Sequence, residues 1–241
     1  MNKTAEHRRE GVWEIDSLVT AVREKPAIQF AQSAQEKLEV DGKITFAGAI
    51  NKAIGECLQD PDVLVCGQLV KYGVAGLTTG LYERFPDQFV TYSVSESLMN
   101  SAAMGLALAG KRPITIHVRM DFLACGMDAL VNHIPIWSKK GIKLPLVMIC
   151  QIGKGMGQGP QHSKNLTAWF QDFEGWITRV PETPQQAYDY LKEAVYKDKP
   201  VMYVIHRELF DRPEGKELTT PHYIRLCGTS RTYEKEFYGE D

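Results

Sequence analysis

A carboxylate stands where a predicted buried strand gives way to a helix, and this position is the first candidate for chemistry. The β-branched and aromatic run at residues 89–94 predicts a strand, and the small residues after Ser95 and Glu96 predict a helix that begins at once. Open α/β sheets bind ligands at the carboxyl ends of their strands, and a helix N-terminus stabilises a nearby negative charge by roughly 0.3–1 kcal/mol. Glu96 fits such a ligand-binding carboxylate, although on this stretch alone a simple helix cap is the favoured interpretation.

Three further residues, Gln68, Phe122 and His162, also fall at or just beyond the carboxyl ends of predicted strands. His162 follows a glycine-rich loop at residues 153–160, from which a histidine can swing over a pocket. A solvated loop histidine is the commoner case. A carboxylate, an aromatic face and a histidine around one crevice together predict a site for an aromatic heterocycle.

Standard catalytic motifs do not explain the sequence. A Walker loop is absent, and the dinucleotide fingerprint Gly-x-Gly-x-x-Gly fails from both Gly153 and Gly155. No histidine pair has metal-ligand spacing such as HExxH, and no Gly-x-Ser-x-Gly elbow occurs. No metal ligand is therefore assigned to this chain. His117 is predicted to be a satisfied core or interface residue, and His133 to face a helix interior or a partner.

The elements around these residues alternate between apolar strands and helices. Strands are predicted at residues 63–66, 89–94, 114–118, 146–150, 176–180 and 201–205. Besides the helix after Glu96, helices are predicted at residues 45–58, 77–85, 122–138, 164–173 and 184–196. Strands of near-continuous apolar character between helices indicate a mainly parallel sheet covered on both faces. We expect an α/β, three-layer αβα domain over residues 42–210, with a helical arm before it (1–41) and a polar tail after it (211–241).

Composition excludes several classes of partner. The chain has 241 residues, 44% hydrophobic and 24% charged, and a net charge of -2, which gives no basic footprint for nucleic acid or a membrane surface. The N-terminus lacks the apolar core of a signal peptide, and runs such as residues 144–150 are too short to span a bilayer. Five scattered cysteines without CxxC spacing indicate buried thiols. We expect a cytoplasmic protein.

Residues 43–207 resemble the pyrimidine-binding domain of the β subunit of 2-oxo acid dehydrogenases, within the transketolase-like family of thiamine diphosphate enzymes. The order and spacing of the matching stretches fit through the whole domain. These stretches include ITFAGAINKAIGECLQDPDVLVCGQLV, DQFVTYSVSESLMNSAAMGLALAG, DFLACGMDALVN and GPQHSKNLTAWFQDFEGW.

The resemblance implies roles for individual residues. Glu96 matches the glutamate that hydrogen-bonds a pyrimidine ring nitrogen and activates the cofactor, which overturns the helix-cap interpretation. Phe122 matches the aromatic residue that stacks on the pyrimidine, and His162 the loop histidine that hydrogen-bonds substrate or intermediate. Gln161 and Arg119 are candidates for contacting the substrate, although basic surface residues are usually only solvated.

Three departures from the family pattern shape the expected assembly. Gln68 stands where the family usually has a glutamate that helps to link two active sites, and glutamine cannot carry that charge. The family's diphosphate and Mg²⁺ motif, Gly-Asp-Gly followed by two asparagines, is absent from the sequence. Thiamine diphosphate and Mg²⁺ are thus expected to be bound mainly by an α-type partner subunit, in an α₂β₂ heterotetramer. The family's further C-terminal domain has no counterpart after Arg212, which argues against membership in a large dehydrogenase complex.

These observations predict one half of a two-component thiamine diphosphate enzyme. It would cleave a small-molecule 2-oxo acid or ketose, and transfer the fragment or release it after decarboxylation. One alternative is a non-catalytic, degenerate partner subunit, which Gln68 and the missing domain favour and the retention of Glu96, Phe122 and His162 opposes. Another alternative is the first component of a 2-oxo acid dehydrogenase, acylating lipoamide.

Overall fold

A six-stranded parallel sheet forms the centre of the domain. The computed structural model describes residues 38–153 and 160–213. The sheet's strands are β3 (Val63–Gly67), β4 (Phe89–Thr91), β5 (Arg112–His117), β6 (Val147–Ile152), β7 (Ile177–Arg179) and β8 (Val201–His206). They lie in the order β4-β3-β5-β6-β8-β7, and every neighbouring pair is parallel. A short antiparallel hairpin of β1 (Glu39–Val40) and β2 (Lys43–Ile44) precedes the sheet.

Helices cover both faces of this sheet. Within the described residues the α-helices are α1 (Phe46–Cys57), α2 (Glu96–Leu108), α3 (Ile134–Lys139), α4 (Thr167–Asp172) and α5 (Pro184–Tyr196). Helices α1 and α5 belong to one buried apolar cluster, while α2, α3 and α4 belong to a second. The three-layer αβα architecture predicted from the sequence is confirmed.

The near-continuous apolar strands are a direct consequence of this layering. Every residue of β6 and β8 is buried. Along β6, Val147 and Ile149 join the α1–α5 cluster, whereas Met148 and Cys150 join the cluster on the opposite face. Because successive side chains of a strand point to opposite faces, a strand covered on both sides must be apolar at almost every position.

Side-chain caps fix where the three long helices begin. Thr45 Oγ1 accepts a hydrogen bond from Gly48 N at 3.0 Å before α1, and Thr183 Oγ1 accepts one from Gln186 N at 3.1 Å before α5. Ser95 Oγ accepts a longer hydrogen bond, 3.3 Å, from Leu98 N at the start of α2. Each cap satisfies an N–H group that has no partner within its helix.

One predicted helix, at residues 77–85, is absent. Asn51 Nδ2 donates hydrogen bonds to the carbonyl oxygens of Leu77 and Thr79, at 3.2 and 3.0 Å. Gly80 has a φ of 70°, in the left-handed region. The segment therefore forms turns, because a side chain of α1 binds carbonyl groups that a helix would have used and the glycine turns the chain away.

The single helix predicted at residues 122–138 is divided into three separate elements in the structure. A 3₁₀ turn spans Met120–Gly126, a π turn spans Ala129–His133, and only then does α3 begin. Pro135 has no N–H to donate to the preceding turn, so a continuous α-helix could not pass through it. The predicted strand at residues 89–94 also ends early, at Thr91, and the predicted helix at 164–173 shortens to α4.

The structure also revises the predictions for single histidines and cysteines. His117 is a core residue, 3% exposed, as one of the two predicted alternatives has it, but among the described residues its Nε2 has no hydrogen-bond partner. His133 does not face a helix interior: it is exposed, with Nε2 3.2 Å from Asp128 Oδ2. Among the cysteines described, three are buried thiols as predicted, and Cys125 is exposed.

The predicted arm and most of the predicted tail lie outside the described residues, and the domain limits stay predictions. Within the described ranges, no helix combines the length and the apolar character needed to cross a membrane.

Acidification is expected to destabilise the fold through its buried histidines. Burial lowers the pKa of His117 from 6.5 to about 4, and it also lowers the pKa of His206. Between pH 6.5 and about 4, the unfolded chain binds a proton at His117 that the folded chain does not bind. The free energy of unfolding therefore falls as the pH falls through this range. Urea denaturation of the His117→Asn variant should show a pH dependence weaker by on the order of 3 kcal/mol between pH 7 and 4. Identical slopes for the variant and the wild-type chain would contradict this account.

Candidate functional site

The candidate residues lie in the connections that leave the carboxyl ends of the parallel strands. Gln68 directly follows β3, Glu96 begins the helix after β4, and Phe122 lies in the 3₁₀ turn after β5. His162 ends a short 3₁₀ turn on the chain that follows β6. Because the strands are parallel, all four connections leave the same edge of the sheet.

Glu96 is the first residue of α2, and its side chain is half-buried. The capping role belongs to its neighbour, since Ser95 Oγ accepts from the N–H of Leu98. Within residues 38–153 and 160–213, no hydrogen bond or ion pair engages the Glu96 carboxylate. Its carboxylate is therefore available to a bound group at the positive end of the helix.

The 3₁₀ turn Met120–Gly126 packs directly against the first turn of α2. A Cβ placed on Gly126 would lie 2.9 Å from the carbonyl carbon and oxygen of Glu96 and 2.5 Å from Asn100 Nδ2. The buried Asn100 also donates from Nδ2 to the Gly126 carbonyl oxygen at 3.2 Å. Only a glycine permits this approach, which fixes the turn that carries Phe122 relative to Glu96.

Phe122 and His162 are brought together at this edge. Their ring centroids are 5.2 Å apart, with an interplanar angle of 78°, an edge-to-face arrangement. Both rings are half-buried, and His162 Nδ1 is buried without a hydrogen-bond partner in the described part of the chain. An aromatic face and an imidazole thus border one surface, and the aromatic-heterocycle site stays a prediction.

Gln68 lies beside the same helix. Its Nε2 is 3.7 Å from Met99 Sδ, one turn along α2 from Glu96. This is a weak contact, because a thioether sulfur is a poor acceptor. The side chain is half-buried and carries no charge, so it can offer hydrogen bonds near Glu96 without adding a second carboxylate.

The two substrate candidates differ in their surroundings. Arg119 is 4% exposed, and its Nη1 donates to the Gly153 carbonyl oxygen at 3.3 Å. Gln161 is exposed and precedes His162. The structure therefore gives Arg119 an internal hydrogen-bonding role, and Gln161 is the more accessible of the two for a bound molecule.

Sequence reasoning missed the residues that hold the site together. Asn100 and Gly126 join the two turns that carry Glu96 and Phe122. Asp121 is 8% exposed and binds the chain near His162. One signal was present: Asn100 stands four residues, about one helical turn, after Glu96 in a helix otherwise rich in small and apolar residues. The contacts themselves are tertiary and leave no local pattern.

The chain forms a three-layer αβα domain, and the candidate residues lie at the carboxyl ends of its strands. Residues 42–212 match the family described as transketolase, pyrimidine binding domain. The chain belongs to this family, as the resemblance in its sequence predicted.

Within this family, the chain is similar to several curated proteins that are named as β subunits. The chain is 30% identical over 194 residues to the β subunit of an acetoin:2,6-dichlorophenolindophenol oxidoreductase from Cupriavidus necator, covering 72% of this chain and 57% of that protein. It is 29% identical over 192 residues to the β subunit of 2-oxoisovalerate dehydrogenase from Bacillus subtilis, covering 77% and 58%. A pyruvate dehydrogenase E1 β subunit from Chaetosphaeridium globosum is 30% identical over 186 residues, covering 74% and 56%. The chain thus spans little more than half the length of these relatives.

A solved structure shares the fold. A split-gene transketolase, described as an inactive β4 tetramer, superimposes with a TM-score of 0.57 and 21% sequence identity. The match covers 75% of this chain and 56% of that one. It supports the α/β architecture.

The contact of Gly126 with Glu96 gives a prediction for the site. A Gly126→Ala substitution should cost about 1–3 kcal/mol of unfolding free energy, because the added Cβ overlaps backbone atoms of Glu96. The matched control is Gly105→Ala on α2, where a Cβ meets nothing within 4 Å and helix propensity improves. Urea denaturation of both variants measures the difference. Equal stability of the two variants would show that the turn and the helix are not tightly coupled.

Proposed function

We propose that this chain is the β-type subunit of a two-component thiamine diphosphate enzyme. The complex cleaves a 2-oxo acid or ketose next to its carbonyl and transfers the fragment or releases it after decarboxylation. The observation that carries this proposal is the arrangement of Glu96, Phe122 and His162 at one edge of the sheet, on turns joined through Gly126. Membership in the pyrimidine-binding family supports it.

The residues at the edge fit the pyrimidine half of this cofactor. An aminopyrimidine presents an aromatic face and ring nitrogens, and the site offers the half-buried ring of Phe122 and the unengaged carboxylate of Glu96. An aromatic ring stacks on such a face, and a protonated carboxyl group donates a hydrogen bond to a ring nitrogen, which accepts it. When bound, thiamine diphosphate supplies the carbanion stabilisation that protein side chains cannot.

Each residue then has a distinct task. A protonated Glu96 would donate a hydrogen bond to the pyrimidine ring nitrogen, and passing that proton to the nitrogen would leave a carboxylate whose negative charge the helix N-terminus stabilises. Phe122 sets the plane of the ring. His162, packed edge-on against Phe122, presents its imidazole toward the substrate and can donate to, or accept from, an oxygen of the reacting group. Gln68 takes the position beside α2 and supplies hydrogen bonds without charge.

The proposal includes an α-type partner that holds the diphosphate and Mg²⁺, in an α₂β₂ complex in the cytoplasm. The relatives of this chain are named as β subunits. The carboxyl edge also displays exposed large apolar side chains next to the site, which are typical of an interface. They are Leu69, Tyr72, Val94 and Leu98, exposed by 58, 52, 81 and 50%.

A second candidate is the first component of a 2-oxo acid dehydrogenase, which passes its acyl group to lipoamide. Two of the relatives carry such names, for pyruvate and for 2-oxoisovalerate. A third is a non-catalytic partner subunit, favoured by the uncharged Gln68. Acyl transfer to free lipoamide would identify the second candidate, and a complex without cofactor would identify the third.

The proposed function is tested on the complex purified from source cells through a tag on this chain. We expect a stoichiometric partner chain and bound thiamine diphosphate, measured by mass spectrometry of the released cofactor. In this complex Glu96→Gln should lower kcat by at least about 10²-fold, since general acid–base groups contribute that much. The control is Glu83→Gln, an exposed glutamate away from the edge, which should retain wild-type activity. An active Glu96→Gln complex would contradict the assigned role.

The apolar edge gives a separate prediction about assembly. Leu98→Asp places a charge on the exposed face of α2 beside the site, and should weaken binding to the α-type partner at least tenfold, because a buried unpaired charge is costly in an interface. Ile142→Asp is the control: it is exposed by 38%, but it precedes β6 at the opposite edge of the sheet. Light scattering after size-exclusion chromatography measures both. Equal effects of the two substitutions on binding would contradict an interface at the carboxyl edge.

A further inference from the structure

Asp121 is a buried carboxylate that has no role in the proposed function. It stands directly before Phe122 in the turn after β5 and is 8% exposed. Its Oδ1 accepts a hydrogen bond of 2.9 Å from the backbone N–H of Lys164, two residues after His162. Its Oδ2 is buried without a hydrogen-bond partner in the described part of the chain. Burying a carboxylate with one unsatisfied oxygen is costly, so the position calls for an explanation.

The surroundings of Asp121 show what its hydrogen bond joins. On one side, the turn of Asp121 is fixed to α2 by Asn100 and Gly126. On the other side, Thr167 Oγ1 lies 3.9 Å from Met120 Sδ, a weak contact at the start of α4. The Asp121–Lys164 bond therefore links the Phe122 turn to the chain that carries His162, and it is stronger than the Thr167–Met120 contact.

We propose that Asp121 is a positioning residue that sets the His162 imidazole against the Phe122 ring. Asp121 and Phe122 are neighbours on one turn, so the hydrogen bond that Lys164 N donates to Asp121 Oδ1 fixes the distance between that turn and His162. The edge-to-face geometry, with centroids 5.2 Å apart, is the result. The catalytic consequence rests on the proposed function, because it requires His162 to act on the substrate, whereas the geometric consequence does not.

The geometric consequence is tested by NMR on the full chain with ¹³C-labelled histidine. The sequence contains six histidines, and the His162 signal is assigned by its loss in His162→Ala. The Phe122 ring current shifts this signal, and Phe122→Leu defines the position without the shift. We expect Asp121→Ala to move the His162 signal toward its Phe122→Leu position. Asp121→Asn, which keeps an amide oxygen as acceptor, should leave the signal near its wild-type position.

A matched control separates positioning from general damage. Asp128→Ala removes an exposed aspartate from the same connection, where it contacts Asn132 and His133. It should move the His133 signal and leave that of His162 in place. An Asp121→Ala chain whose His162 signal stays at the wild-type position would overturn the proposal, because the hydrogen bond would then not set the geometry.

The catalytic consequence is tested by a double-mutant cycle in the purified complex. Asp121→Ala should lower kcat by up to about 10²-fold, as expected for a misplaced group, with a smaller effect on cofactor binding. In a His162→Ala background the same change should cost no further activity, because Asp121 acts through His162. Additive losses would overturn the positioning role. If the NMR result holds while the complex contains no thiamine diphosphate, the positioning stands and the proposed function fails.

Discussion

The close packing of Gly126 against the first turn of α2 is the constraint on which the candidate site depends. Two chain segments from different strands meet there with no room for a Cβ atom, and the Asn100 side chain closes the contact by donating to the Gly126 carbonyl. Since Glu96 begins that helix turn and Phe122 lies in the opposing turn, their relative position is set by backbone contact and not by flexible side chains. Such rigidity is what a site needs in order to hold a planar group between a carboxylate and a ring.

The sheet supplies the frame for this contact. Strands β5, β6 and β8 are buried on both faces, so the positions of their carboxyl ends are fixed by packing on two sides. The connections that leave those ends are irregular: 3₁₀ and π turns fill the span between β5 and α3. Irregular backbone costs regular hydrogen bonds, and side chains such as Asn100 and Asp121 supply substitutes. The polar residues that brace the site therefore satisfy backbone groups of turns that cannot pair with themselves.

The sequence alone predicted the three layers and placed the candidate residues at the ends of strands. It did not predict the tertiary contacts of Asn100, Gly126 and Asp121 that hold the turns together. Helix α5 spans the predicted residues, because Thr183 and Pro184 give a strong local start signal. The helix prediction for residues 77–85 was wrong because Asn51, which is distant in the sequence, donates hydrogen bonds to carbonyl groups of this segment. The hydrogen bond from Lys164 N to Asp121 joins residues 43 positions apart and has no local signature either. Roles for Glu96, Phe122 and His162 came from the family resemblance, since spacing alone favoured a helix cap and a solvated histidine.

The turn after β3 leaves an apolar side chain, Leu69, exposed at the carboxyl edge of the sheet, where we propose the interface with the α-type subunit. Leu69 adopts a φ of 57°, which is unfavourable for a branched side chain by about 1–2 kcal/mol, and it remains 58% exposed. Contacts within the turn offset this strain, since the Leu69 carbonyl oxygen accepts a hydrogen bond from Tyr72 N at 2.9 Å and the next residue, Val70, is fully buried. The same turn leaves the Leu69 side chain in solvent, and Leu69 directly follows Gln68, which contacts Met99 on α2. The surface that an α-type subunit would cover and the surface that would hold the pyrimidine are therefore continuous, so assembly and cofactor binding should depend on each other.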